Sequence, residues 1–154
     1  YARTCLISHS TSSDFFVQNH LMGAGTGRIY SLEHCGTVVA AMQVRWKDKT
    51  LGVLEVSRFC TSLNTSVVGG FSKLLKYVEA VETPTKIINF VDLRYGTGAH
   101  LLGKGFTLVN TSPSFVWTKG LKSAHRMKFP GSTGYDHGWA KLWDCGQAKY
   151  VKVL

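Results

Sequence analysis

Acidic residues are scarce in this chain. Nine Asp and Glu stand against 18 Lys and Arg, a formal net charge of +9 over 154 residues. Such a balance points away from cationic partners and toward polyanions, nucleic acid first among them. A basic surface facing only water is the plainer alternative. Long apolar runs are missing: none reaches the roughly 18 residues that a membrane span needs, and no secretory leader is visible. The expectation is therefore no membrane partner and a cytoplasmic location. The four cysteines, at 5, 35, 60 and 145, form no C-x-x-C pair and fit no common zinc spacing. Reduced thiols and no metal site are expected, with two disulfides as the alternative, and His9, His34, His125 and His137 add no metal spacing. The G-x-x-x-x-G-K-[ST] pattern is absent, which excludes a P-loop. Repeats and low-complexity segments are absent too. Tyr1 in place of Met implies a fragment, a processed chain or the ordered part of a longer one.

What is present supports one folded domain. Hydrophobic residues make up 44% and charged residues 18%, enough for a core and against disorder. Ser12-Ser13-Asp14 opens a short helix near 13–20, and Gly23 to Gly27 must turn. Strands are expected at 28–33, 37–46 and 52–60, the first two as a hairpin. Phe71, Leu74, Leu75 and Val78 give a helix over 71–80, ended near Pro84. An apolar strand follows at 86–91, then a short helix at 99–103 and strands near 106–110 and 114–118. Late strands are expected at 139–145 and 149–153. This order reads as a mixed α/β domain over 1–154, with a basic extension from about 119 packed on it.

Its most informative stretch is Val68-Gly69-Gly70-Phe71-Ser72-Lys73, where a strand gives way to a helix. Adjacent glycines let the backbone approach a ligand, and a helix start offers unpaired N–H groups and a positive dipole end. These six residues are the candidate cofactor-binding set; an ordinary start of a core helix is the alternative. Arg58, in an apolar strand, either grips a phosphate or base or forms a structural ion pair with Asp92 or Glu55. Asp92 falls at the carboxyl end of the apolar strand, where α/β sheets place ligands. His20, at a helix-to-glycine junction, is either a general base or a capping histidine.

The order of elements, with a glycine turn opening the central helix, resembles the GNAT acyltransferase fold, a central mixed sheet flanked by helices. Gly105-Phe106 resembles the end of that family's Tyr-x-x-x-Gly-Phe stretch. The resemblance implies an acyl-CoA-like donor at the Gly69–Lys73 turn. Blocks such as Ser57-Arg58-Phe59-Cys60, Gly69 to Leu75 and Leu142 to Gly146 also resemble the C-terminal region of phage Vsr-like homing endonucleases. Through these the chain is similar to phage Mom-type proteins that modify adenine in DNA. That likeness implies a catalytic set of His20, Arg58, Ser72 and Asp92, DNA as partner and a phage-infected bacterial host; in that group the nuclease site lies in a separate N-terminal domain, an arrangement that residues missing before Tyr1 would fit. The GNAT tyrosine has no counterpart in Ala99 to Leu102; His100 is a neighbour and Tyr95 could substitute from the loop. Three functions are thus expected: a transferase modifying DNA, a non-catalytic DNA-binding module, or a small-molecule N-acetyltransferase.

Phe115 to Phe129 interleaves aromatics with cations, a pattern suited to stacking on bases and contacting phosphates. Lys119, Lys122, Arg126 and Lys128 are its nucleic-acid candidates. The alternative is a solvated basic face with aromatics turned inward.

Overall fold

The computed structural model describes residues 1–9 and 11–154. They form a mixed α/β structure that groups into two compact units, one of residues 1–89 with 151–154 and one of residues 90–150. Among the described residues no helix is long and apolar enough to cross a membrane.

The first unit opens with a 3-10 turn, Ala2–Thr4, then β1 (Leu6–Ser8), α1 (Asp14–Asn19), β2 (Arg28–His34), β3 (Thr37–Asp48), β4 (Val53–Thr61) and α2 (Gly70–Glu82). β5 (Lys86–Asp92) begins in this unit. β1 to β4 form an antiparallel meander, and β4 pairs with β5 in parallel. The crossover between those parallel strands is α2, as such a connection requires. Five consecutive β3 residues, Ala40 to Val44, are buried, so both faces of this strand are covered. That is why the strand carries an apolar run in place of strict alternation. α2 contributes Leu74, Leu75 and Val78 to the core, against β2 and β3. Each such aliphatic side chain adds about 1.5–3 kcal/mol when fully buried. The helix ends at Thr83, left-handed at φ 47°, with Pro84 behind it. Its last residue, Glu82, is buried and accepts hydrogen bonds from the Tyr30 hydroxyl and, at 3.0 Å, from Arg28 Nη1.

The second unit holds α3 (Ala99–Leu102), β6 (Thr107–Ser112), β7 (Phe115–Lys119), β8 (Lys122–His125), a 3-10 turn at Arg126–Lys128, α4 (Thr133–Asp136), β9 (Ala140–Trp143) and most of β10 (Gln147–Val153). β6 neighbours β10, and β8, β7 and β9 make a separate three-stranded antiparallel sheet. Trp117 is fully buried at the centre of that sheet, ringed by Phe115, Phe129 and Tyr135 at centroid distances of 5.3–5.7 Å. Gly134 is small of necessity, because a Cβ there would come within 2.6 Å of the Trp117 ring.

The expected elements recur within a few residues of their bounds. β1, β8, α4 and the two 3-10 turns were not expected: each is three or four residues long, too short for a hydrophobic period to register.

Candidate functional site

β4 shapes the site. It pairs with β5 only from Val53–Lys86 to Val56–Asn89, then runs on to Thr61 with no β5 partner. At the point of departure β4 carries a bulge: Val56 faces Val44 and Arg58 faces Gln43, so Ser57 is an extra residue. A bulge of this kind bends a strand and re-aims its side chains. The Ser57 hydroxyl donates to the Gln43 carbonyl at 3.1 Å and fixes the bend.

Arg58, the first residue past the bulge, is half-buried. Its Nε donates to the Gly23 carbonyl at 3.1 Å and its Nη1 to the Ser57 carbonyl at 2.7 Å. The expected ion pair is not formed with Glu55, whose carboxylate is taken by Arg45 at 3.0 Å and Lys47 at 3.3 Å. Burial, and then the charge of Arg45, lower the Arg58 pKa, with Glu55 opposing.

The segment Gly23 to Gly27 is bound to this region. Gly25 donates its amide to Gln43 Oε1 at 2.9 Å, and Gln43 Nε2 reaches the Gly27 carbonyl at 3.5 Å. Gly27 has φ 120°, and a Cβ there would lie 2.1 Å from the Val44 carbonyl oxygen. The turn expected from the glycines is thus a close approach of one backbone to another. Gln43, buried on β3, is the positioning residue that sequence reasoning missed; its only signal was an amide inside an apolar run.

His20 follows α1. Its Nδ1 accepts the Met22 amide at 3.0 Å, and its ring meets Phe16 edge-on. Burial and then the nearby Arg58 charge lower its pKa. At neutral pH the imidazole is uncharged, with its proton on Nε2 because Nδ1 is an acceptor. In this geometry His20 is a hydrogen-bond donor; the lone pair that a general base needs is engaged by the backbone.

Beyond β4 a polar loop leads to α2. Leu63 donates its amide to Asn19 Oδ1 at 2.8 Å, and the Thr61 hydroxyl donates to the Thr65 carbonyl at 2.7 Å. An open groove of about 620 Å³ is lined here by Asn19, Phe59, Thr61, Leu63, Asn64 and Ser66 among others. Gly69, at φ 80°, stands at the N-cap of α2, and no side chain caps that end. Val68 and Gly69 are exposed, Gly70 is buried, and Phe71, Ser72 and Lys73 are half-buried. Phe71 meets Phe59 edge-on at 5.1 Å. Lys73 departs from the anion-binding expectation, because its ammonium donates to the carbonyls of Ala2 at 3.1 Å and Cys5 at 2.6 Å.

Asp92 belongs to the second unit, at the carboxyl end of β5 as expected. Its carboxylate is taken by Arg94, whose Nη2 lies 2.6 Å away; that contact holds its pKa below the usual value. The structure therefore brings His20 and Arg58 together, seats Ser72 on the first turn of α2, and commits Asp92 to Arg94. α3 carries no tyrosine, and Leu101 is fully buried in it.

In the basic strip Trp117 turns inward while the lysines stay at the surface. Trp117 donates its Nε1–H to the Arg126 carbonyl at 3.1 Å, and Lys119 donates to the His137 carbonyl at 2.8 Å. Lys119, Lys122 and Lys128 are all exposed, Lys128 lying over the Trp139 ring at 4.7 Å, and Arg126 is half-buried. Among the described residues no group of three metal-ligating side chains occurs.

No protein-family model and no curated protein matches the chain. Solved structures do. An IAA acetyltransferase from Bacillus cereus ATCC 14579 superposes with TM-score 0.62 at 12% identity, over 97% of this chain and 99% of that one. A GNAT family acetyltransferase from Elizabethkingia anophelis with acetyl-CoA bound gives 0.61 at 13%, over 98% and 99%. The ribosomal-protein-S18-alanine N-acetyltransferase from Escherichia coli gives 0.59 at 10%, over 97% and 93%. The fold is that of the GNAT acetyltransferases. None of these findings supports the likeness to phage homing endonucleases or Mom-type proteins.

Proposed function

We propose that this GNAT-fold chain is an acyl-CoA-dependent N-acyltransferase acting on a small-molecule amine. One observation carries the reading: β4 leaves β5 at Val56 and runs on to Thr61 with an edge unpaired among the described residues, next to α2 where Phe59 meets Phe71. An extended, amide-bearing arm adds to an open strand edge through main-chain hydrogen bonds. A diphosphate suits the uncapped start of the 13-residue α2, where Gly69 brings no side chain to obstruct it. Acyl-CoA offers both parts, and solved structures of this fold carry acetyl-CoA or CoA.

The donor supplies a thioester. The acceptor nitrogen forms the new C–N bond, the C–S bond breaks, and sulfur departs as thiolate. This chain's residues bind and orient. His20 offers an N–H. Because the Nδ1 lone pair of His20 is engaged by the Met22 amide, protons are expected to pass to and from solvent. Turnover should therefore rise with pH as the free amine fraction rises. Release of CoA thiol from acetyl-CoA across a panel of primary amines tests the reading. Amine-dependent release is the expected result; its absence with a folded protein refutes the reading.

A second reading keeps DNA as the partner, with an adenine amine as acceptor or as a non-catalytic binding module. It is favoured by the charge of residues 90–150, eight Lys and Arg against three Asp. It requires DNA binding that weakens steeply with salt and when Lys122, Arg126 and Lys128 are neutralised. Binding insensitive to salt, or none, removes it.

A further inference from the structure

Resting on the acyl-transfer reading, we infer that the acceptor amine carries an oxyanion, a carboxylate or a phosphate monoester, and that Arg58 binds it. Two of the five N–H bonds of Arg58 are used, both on neutral carbonyls, at Gly23 and Ser57. One Nη1 hydrogen and both Nη2 hydrogens have no partner among the described residues. Among the described residues no carboxylate forms an ion pair with the guanidinium: Glu55 acts on it at a distance, its oxygens being bonded to Arg45 and Lys47.

A half-buried guanidinium with an unspent fork of three N–H donors is ready to receive an anion. The surroundings reinforce the sign. Arg45 is near enough to act on Arg58, and Arg58 near enough to act on His20. His20, neutral with its proton on Nε2, adds an N–H and no competing negative charge.

The position of Arg58 is fixed as a recognition group requires. The Ser57 bulge aims it. The Gly23 carbonyl locks its Nε side, and Gly25 lies against its stem, an added Cβ there falling 3.6 Å from Arg58 Cγ. Carboxylates and phosphates accept two parallel N–H bonds from such a fork. Lysine can supply the charge but not the paired geometry.

Two measurements on the full chain test this. The first compares matched acceptors with acetyl-CoA: an amino acid against its amide, and an aminoalkyl phosphate against the aminoalcohol. The anionic member of at least one pair should show a KM at least tenfold lower. That preference should fall below threefold in Arg58→Gln and return partly in Arg58→Lys, as the ratio of the two KM values measured within each protein. The favoured pair distinguishes carboxylate from phosphate. Lys76→Gln, on the exposed side of α2, should behave as the parent.

The second measurement needs no turnover. Inorganic phosphate and acetate are titrated, at constant ionic strength, against the 15N-labelled Nε–H signal assigned to Arg58 by its loss in Arg58→Gln. A saturable shift with either anion is expected. If that shift appears while no amine is acylated, the acyl-transfer reading falls and the oxyanion site stands. If uncharged amines are acylated as well as anionic ones and the signal does not move, the inference is overturned and the reading stands. A preference that survives in Arg58→Gln also overturns it.

Discussion

The Lys73 ammonium lies 2.6 Å from the Cys5 carbonyl and binds the N-terminal segment to the first turn of α2. A second bond reaches the Ala2 carbonyl at 3.1 Å, and the Ala2 amide donates to Val68 at 2.9 Å. The one lysine in the glycine turn is therefore a structural strap. Lys73→Met should lower stability by about 1–3 kcal/mol, the loss of charge-assisted hydrogen bonds. Hydrogen exchange should speed up at the Ala2 and Cys5 amides. Affinity for CoA should change less than threefold; a tenfold loss would make Lys73 a phosphate ligand instead.

Tyr30, 4% exposed, donates its hydroxyl to buried Glu82. Burial first, and then that carboxylate, push its pKa up to about 12. A phenol whose folded pKa lies above the unfolded value stabilises the fold fully below pH 10. The stabilisation is lost as pH rises from about 10 to about 12. Two units correspond to about 2–3 kcal/mol. One of the six tyrosines should ionise late in an absorbance titration at alkaline pH, and Tyr30→Phe should remove that late step. Tyr30→Phe should also flatten the fall in stability over this range.

Thiol reactivity should divide the cysteines in two. Cys35 and Cys145 are exposed, Cys5 is buried, and burial pushes the Cys60 thiol up to about 11. Thiolate is the reactive form. A disulfide reagent at pH 8 should therefore modify two thiols quickly and two slowly. Peptide mapping should place the fast pair at 35 and 145. Fast labelling of Cys60 would contradict its placement.

Much of the fold was legible because it rests on local signals. The Phe71, Leu74, Leu75, Val78 period marked α2, and the apolar run at 86–91 marked β5. The site was less legible because its geometry depends on residues far apart in sequence. Asp92 is held by Arg94 two residues on, so pairing it with a distant Arg58 overlooked the nearer partner. His20 spends its Nδ1 on Met22, also two residues away. Arg58 stood out in the sequence as a charge in a strand, but its carbonyl partners arise from a bulge and a glycine loop that no spacing announces. The aromatic strip interleaves with cations as a binding surface would, and its Trp117 fills the buried centre of a small sheet, a placement that depends on partners distant in sequence.

The central claim is that an acyl-CoA donor docks along the open edge of β4 and the first turn of α2. Titration of CoA into the 15N-labelled protein, followed amide by amide, tests it most directly. Saturable shifts should concentrate at Ser57 to Thr61 and at Gly69 to Ser72, and desulfo-CoA should reproduce them. No saturable binding, or shifts confined to other segments, would contradict the account.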